Sequence, residues 1–157
     1  MDDSELRNNS ANGIRPSGGA IWSAAESAEL VNTSLLENRV VASAVSGFGG
    51  AVAISAGFLR LIGCRVHDNV AESLRGIVGV GGGAFHLAAG NVRIEWSSLK
   101  GNRMGGLGLS QAEVSRLAGG AHVLAEGGDF VVDSCSVAED GDSGEEARME
   151  RTPPSGG

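Results

Sequence analysis

The tripeptide Gly-Gly-Ala recurs four times along this 157-residue chain and limits the possible folds more than any other feature. The copies begin 31, 33 and 37 residues apart, a spacing typical of solenoid repeats. A second motif, an apolar residue, two variable residues and then Asn or Asp, follows each copy. The repeat residues are Gly18, Gly19, Ala20 and Asn38; Gly49, Gly50, Ala51 and Asn69; Gly82, Gly83, Ala84 and Asn102; and Gly119, Gly120, Ala121 and Asp140.

Between these motifs, apolar residues alternate with variable ones in three short blocks per repeat. A period of two is typical of half-buried β-strands. Such short strands bury their inner faces when equivalent strands of successive repeats stack and pair in parallel. The glycines supply a bend, and the Asn column is predicted to form a ladder in a turn. The sequence therefore predicts an all-β, parallel β-helix (solenoid) of about four coils with three short strands each.

Aligning the repeats on the Ala predicts which residues stack. In the fourth repeat this alignment places His122 beside Phe85 and Leu124 beside Leu87, with one residue inserted near residues 126–128. We expect residues 1–140 to form the β-helix, as a partial coil over 1–11 and coils starting at residues 18, 49, 82 and 119. The partial coil is expected because Leu6 and Ala11 align with Leu35 and Val40, so the β-helix is predicted to be N-terminally truncated.

The segments between the repeats, residues 39–48, 70–81 and 103–118, differ in length and are predicted to be loops on one side of the coil. The longest is predicted to contain a short helix, with Ser110 as its cap and Glu113 at the capping-box position. Residues 141–157 are acidic and contain Gly, Ser and Pro, so we expect a disordered tail.

The pairing of Gly-Gly-Ala-(Ile/Val) with apolar-x-x-Asn resembles the repeats of chlamydial polymorphic outer membrane proteins and, more broadly, the right-handed parallel β-helix (pectin-lyase-like) superfamily. The resemblance covers residues 4 to 140. It implies a right-handed, passenger-like segment of a larger extracellular or cell-surface protein. Its partners would be a polysaccharide, a surface protein or further coils of the same full-length chain. Residues 1–5 are polar and acidic, without the features of a signal peptide, so the sequence leaves localisation open.

Composition and local pattern argue against several other classes of function. The net charge is −7 with a single lysine, Lys100, whereas nucleic-acid-binding proteins carry a basic patch. The most apolar stretch, residues 77–92, is too short and interrupted to span a membrane. The glycine-rich residues 79–84 lack the helix of a dinucleotide-binding motif. The acidic run in residues 139–146 is typical of a solvated tail, and we predict no metal and no cofactor.

The two cysteines, Cys64 and Cys135, fall in the same column of the alignment with Ser97 between them. At a strand spacing of about 4.8 Å their Cα atoms would be about 9.6 Å apart, beyond the limit of about 7 Å for a disulfide. We therefore predict two separate buried thiols that act as small core residues.

Candidate binding residues lie between the inward positions of the second strand of each repeat. Arg60 and Arg93 are predicted to stack on adjacent coils, with Glu95 and Asp133 near them and Arg65 around the next bend. These five residues could form a groove for an anionic glycan, but cross-strand ion pairs on a solvated face are the favoured interpretation.

Two histidines were also considered as candidate site residues. His67-Asp68 has the composition of a catalytic pair but is predicted to be a solvated turn. His86 is predicted to face outward, two coils from Trp22, with no sign of a metal site.

Three hypotheses follow from the sequence. The first, which we favour, is a non-enzymatic structural or adhesive repeat segment that displays variable loops for binding. The second is a fragment of a β-helical carbohydrate-active enzyme (a polysaccharide lyase, hydrolase or epimerase) with a glycan-binding face. The third is an incomplete gene product with no activity of its own, in which uncapped ends expose apolar rungs and strand edges and favour aggregation.

Overall fold

The computed structural model describes residues 1–43, 46–74, 80–106 and 122–138, which form 19 short β-strands and no helix. Every strand pairs in parallel with the equivalent strand of a neighbouring repeat, so the strands are arranged as stacked parallel sheets. The protein is therefore all-β, as predicted, and its architecture is compatible with a parallel solenoid.

Three sheets carry the blocks that the alternating pattern predicts. The first sheet contains β3 (Ile21–Ser23), β8 (Val52–Ile54), β13 (Phe85–Leu87) and β17 (Val123–Ala125). The second sheet contains β4 (Ser27–Val31), β9 (Phe58–Ile62), β14 (Asn91–Glu95) and β18 (Phe130–Asp133). The third sheet contains β1 (Glu5–Arg7), β5 (Ser34–Leu36), β10 (Arg65–His67), β15 (Ser98–Lys100) and β19 (Ser136–Ala138).

Two further sheets lie mostly in segments that are predicted to be loops. The fourth sheet contains β2 (Ser10–Gly13), β6 (Arg39–Ala42), β11 (Val70–Ser73) and β16 (Arg103–Gly106). The fifth contains β7 (Gly47–Phe48) and β12 (Val80–Gly81). The prediction of three strands per repeat is therefore wrong. The extra strands form because Val40, Ala42 and Ala71 bury their side chains completely on the inner face.

The register agrees with the predicted columns in the first three repeats. Leu6 pairs with Leu35 and Ala11 with Val40, as their alignment predicts. In the fourth repeat the predicted stacking of His122 on Phe85 is wrong, because Phe85 pairs with Val123. The carbonyl of His122 instead accepts hydrogen bonds from the backbone N–H groups of Ala84 and Phe85. His122 thus takes the position of the repeat alanine, and the extra residue precedes β17.

The inner faces of the strands enclose one apolar core. Its largest side chains without exposed surface include Leu35, Leu61, Val66, Phe85 and Leu87. Burying a side chain of this size contributes about 1.5–3 kcal/mol. Strands of three to five residues are therefore stable through stacking and not through their own length.

The Gly-Gly-Ala motif lies at a bend where the backbones of successive repeats come close together. Gly49 has a φ of +66°, in the left-handed region that side chains rarely adopt. A Cβ on Gly50 would lie 2.1 Å from the carbonyl oxygen of Gly83 in the next repeat. Ala51, the third residue of the motif, is completely buried. The motif therefore permits a bend in which successive repeats touch backbone to backbone.

The predicted Asn ladder is present at the bend between the third and fourth sheets. The Oδ1 of Asn69 accepts hydrogen bonds from the backbone N–H and the side-chain amide of Asn38, at 3.0 and 2.9 Å. Its Nδ2 donates to the carbonyl of Leu35 and to Oδ1 of Asn102, at 2.9 and 2.8 Å. All four hydrogen-bonding positions of this buried amide are used, which removes the cost of burying it.

We expect Asn69→Ala to lower the free energy of unfolding by about 3 kcal/mol, because it leaves the buried N–H of Asn38 and the carbonyl of Leu35 unpaired. Asn9→Ala is the matched control, since Asn9 belongs to the same ladder but is exposed. It should cost less than about 1 kcal/mol in the same urea titration. Equal losses in the two variants would contradict the role assigned to the buried ladder.

We expect Gly50→Ala to destabilise the fold by about 3 kcal/mol or more, because the new methyl group would collide with the carbonyl of Gly83. Gly13→Ala places a methyl group in open space, with no positive φ, and should change stability by less than about 0.5 kcal/mol. Thermal unfolding followed by circular dichroism measures both. A mild effect of Gly50→Ala would show that the repeats do not approach this closely.

Candidate functional site

The outward face of the second sheet brings together four of the five residues predicted as a candidate site. Arg60 on β9 pairs in register with Arg93 on β14, as predicted, and Glu95 on β14 pairs with Asp133 on β18. Glu29 on β4 pairs with Arg60 from the other side and belongs to the same face. The inward residues of these strands are buried in the core, which fixes the direction in which the charged side chains leave the sheet.

These side chains form a continuous chain of ion pairs, the charge ladder (Glu29, Arg60, Arg93, Glu95 and Asp133). Arg60 Nε donates to Glu95 Oε2 at 2.6 Å, and its Nη1 lies 3.4 Å from Glu29 Oε2. Arg93 Nε lies 3.1 Å from Glu95 Oε1, and its Nη2 lies 3.8 Å from Asp133 Oδ2. Acidic and basic groups alternate along the ladder, so each guanidinium already has carboxylate partners.

Glu95 is the centre of the charge ladder. Only 8% of its surface is exposed, and both of its carboxylate oxygens contact a guanidinium. The hydrogen bond from Arg60, with a further contribution from Arg93, holds the pKa of Glu95 below its ordinary value. The same contact raises the pKa of Arg60. The contact therefore stabilises the charged forms of Glu95 and Arg60. An anionic ligand would have to displace Glu95 to reach either arginine.

Arg65 does not join this face. It lies on β10 in the third sheet, where it pairs with Ser34 and Ser98, and its side chain is exposed. The five candidate residues therefore divide between two faces of the protein. The sequence places Arg65 around the bend but does not reveal what surrounds it there.

His67 is not the fully solvated turn residue that was predicted. It is half-buried at the end of β10, and its Nε2 lies 2.9 Å from the hydroxyl of Ser98 on the next repeat. Burial lowers the pKa of His67, and the charges of Lys100 and Arg65 act in the same direction against that of Asp68. A Ser–His contact is an element of nucleophilic sites, but no described residue forms a hydrogen bond with the other ring nitrogen of His67.

His86 leaves the outer side of the first sheet, in the same row as Trp22 and Ala53, but it is buried with 6% exposure. The outward position agrees with the prediction, and the ring is nevertheless buried because Phe48 covers it. The two rings stack with centroids 4.3 Å apart. Burial lowers the pKa of His86, although Glu126 lies 3.6 Å from its Nε2.

The cysteine column agrees with the prediction that no disulfide forms. Both are free thiols, but the prediction that both are buried is correct only for Cys64, because Cys135 is half-buried. Ser97 lies between them, since its hydroxyl accepts from the backbone N–H of Cys64 and its own N–H donates to Cys135 Sγ. Burial raises the pKa of both thiols. They therefore favour the protonated form and act as small residues at a bend.

Several predicted residues lie outside the described part of the chain. These are the fourth Gly-Gly-Ala (Gly119, Gly120 and Ala121), Asp140, the helix with Ser110 and Glu113, the acidic run and the tail. Within the described ranges, no group of three or more His, Cys, Asp or Glu side chains is placed to hold a metal ion. No described helix has the length and hydropathy needed to cross a membrane.

Comparisons with protein-family models, with curated proteins and with solved structures give no match in any of the three. The candidate function therefore rests on the geometry of the described residues.

Glu95→Gln tests the electrostatic role of the charge ladder. Because the folded protein holds the pKa of Glu95 below 4.5, this carboxylate adds stability above pH 4.5 that is lost as the pH falls through the lowered pKa. We expect the variant to be less stable than the wild type at neutral pH and to lose less stability on acidification. Glu26→Gln, at an exposed residue that forms no ion pair with the described residues, should follow the wild-type profile. Parallel profiles for Glu95→Gln and the wild type, measured by urea unfolding, would contradict this role.

Proposed function

We propose that this chain is a stretch of right-handed parallel β-helix of about four coils that acts as a non-enzymatic structural or adhesive segment of a larger surface or secreted protein. Its repeats would be of the kind found in the polymorphic outer membrane proteins, within the pectin-lyase-like superfamily. Support for the handedness comes from the parallel strands, because crossovers between parallel strands of one sheet are right-handed in about 98% of cases.

The observation that carries the proposal is where the repeats differ in length. In each of three repeats, the fourth-sheet strand begins 18 residues after the start of the first-sheet strand. From the fourth-sheet strand to the next first-sheet strand, by contrast, 9, 11 and 16 residues intervene. Variation is confined to one corner of an otherwise constant framework. This is the arrangement by which rigid scaffolds display binding segments.

The charge ladder supports the non-enzymatic reading. Catalysis on an acidic sugar needs a cation or base that is free to contact the substrate, but Arg60 and Arg93 are each held by carboxylates. The carbohydrate-active enzyme remains the second candidate, because Arg60, Arg93, Glu95 and Asp133 do share one outward face.

Two variants separate these candidates. In the first, residues 108–117 are replaced by a Gly-Ser linker of the same length, and the second is Arg60→Gln with Arg93→Gln. Each full-length chain is passed over immobilised cellulose, polygalacturonate, collagen and fibronectin, and circular dichroism verifies the fold. We expect the wild type to be retained on at least one surface. The linker variant should lose affinity by about tenfold or more, and the double arginine variant should keep it.

Loss of binding in the double arginine variant alone, or release of shortened polygalacturonate by the wild type, would support the enzyme instead. Retention on none of the four surfaces would overturn the adhesive role.

A further inference from the structure

A second group of polar side chains projects from the outward face of the third sheet. Arg65 and His67 on β10 pair in register with Ser98 and Lys100 on β15. The intervening residues Val66 and Leu99 are buried, so all four polar side chains point away from the core. Adjacent strands lie about 4.8 Å apart, and residues two apart along a strand are separated by about 6.6 Å. We call this compact group the basic tile (Arg65, His67, Ser98 and Lys100).

The cations of the basic tile are not held by carboxylates of the described residues. Arg65 and Lys100 are exposed, and neither forms an ion pair with any residue that the structure describes. The rows above and below add no charge, since the neighbouring positions in register are uncharged: Ser34, Leu36, Ser136 and Ala138. This is the opposite of the charge ladder, in which every guanidinium contacts a carboxylate. The tile therefore has free cations on a chain whose net charge is −7.

His67 and Ser98 supply a directed hydrogen bond between these cations. Nε2 of His67 lies 2.9 Å from the Ser98 hydroxyl, and both residues are half-buried. When Nε2 carries the proton it donates to Ser98 Oγ, which leaves the hydroxyl proton of Ser98 free to point outward. A protonated His67 must donate in this way. In these two states of His67 the tile presents a hydroxyl donor flanked by a guanidinium and an ammonium group.

We propose that the basic tile binds a tetrahedral oxyanion, a sulfate or phosphate group carried as an ester on a larger ligand. Donors at three corners of the tile match a group with three terminal oxygens, and charge-assisted hydrogen bonds to such oxygens are among the strongest in proteins. Arg65 and Lys100 supply the charge, and Ser98 supplies the neutral hydrogen bond. The inference rests on the proposed binding role and adds the chemistry of one ligand to it. It does not require the variable corner to take part.

The first experiment measures binding of inorganic sulfate and of inorganic phosphate to the full chain by NMR titration, against chloride at the same ionic strength. We expect dissociation constants of about 1 mM and shifts centred on β10 and β15. Arg65→Gln with Lys100→Gln should weaken binding by about tenfold or more, and Ser98→Ala by about fivefold. Arg7→Gln with Arg15→Gln removes the same charge from exposed positions outside the tile and should change affinity by less than about twofold.

The pH dependence tests His67 separately. Arg65, Lys100 and Asp68 are the charged groups that act on this imidazole. Since sulfate keeps its charge, its affinity should rise as the pH falls through the lowered pKa of His67, below 6.5. His67→Gln should abolish this rise while leaving binding at neutral pH within about threefold. An unchanged pH profile in His67→Gln would remove the imidazole from the proposal.

A sulfated disaccharide, its unsulfated form and a sugar phosphate then identify the source of the oxyanion. We expect at least one of the two esters to bind more tightly than the unsulfated sugar. The variant Arg65→Gln with Lys100→Gln should lose this preference. Failure of both inorganic ions to bind, or equal binding by that variant and the wild type, would overturn the inference. If sulfate binds but the chain is retained on none of the four surfaces, only the adhesive role is overturned. If retention depends on residues 108–117 and sulfate does not bind, only the proposal for the basic tile is overturned.

Discussion

Each strand of this protein lies directly on the equivalent strand of the next repeat, at a separation of about 4.8 Å. Each side chain therefore lies next to the equivalent side chains of the neighbouring repeats. This contact determines which type of residue can occupy almost every position. Where two backbones meet at a bend, only a residue without a Cβ fits, as at Gly50. Where an amide is buried, an amide of the next repeat accepts one of its hydrogen bonds, as at Asn69. Where charges project from the sheet, side chains of opposite sign contact each other across repeats, as with Glu29 and Arg60.

The constant part of the repeat is what the sequence could predict. The Asn ladder, the pairing of Arg60 with Arg93 and the separate thiols all follow from a fixed number of residues between columns. A periodic chain with parallel pairing converts equal spacing in sequence directly into contact in space, so a simple alignment is sufficient. The favoured reading of the second-sheet face as ion pairs follows from the same rule.

The features that were not predicted depend on information that the spacing of the motifs in the sequence does not contain. The Gly-Gly-Ala motif favours Ala121 for the alanine position. The pairing of Phe85 with Val123 and the hydrogen bonds to His122 instead place His122 there. The fourth sheet was missed because its strands precede a segment of variable length, although Val40 and Ala42 alternate with outward residues. The basic tile unites His67 and Ser98, which are 31 residues apart and stand in different columns, so neither residue suggests the other.

The amides of the Asn ladder all point the same way. Each Oδ1 accepts from the preceding repeat and each Nδ2 donates to the following one, from Asn9 through Asn38 and Asn69 to Asn102. Their dipoles therefore add along the stack instead of cancelling, as peptide dipoles do in a helix. Together with the uniformly parallel strands, this gives the stack a polarity, with one chemically distinct face toward each end. Any additional repeat, whether from the same chain or another, can continue the ladder only head to tail, so association through these faces is heterologous and open-ended.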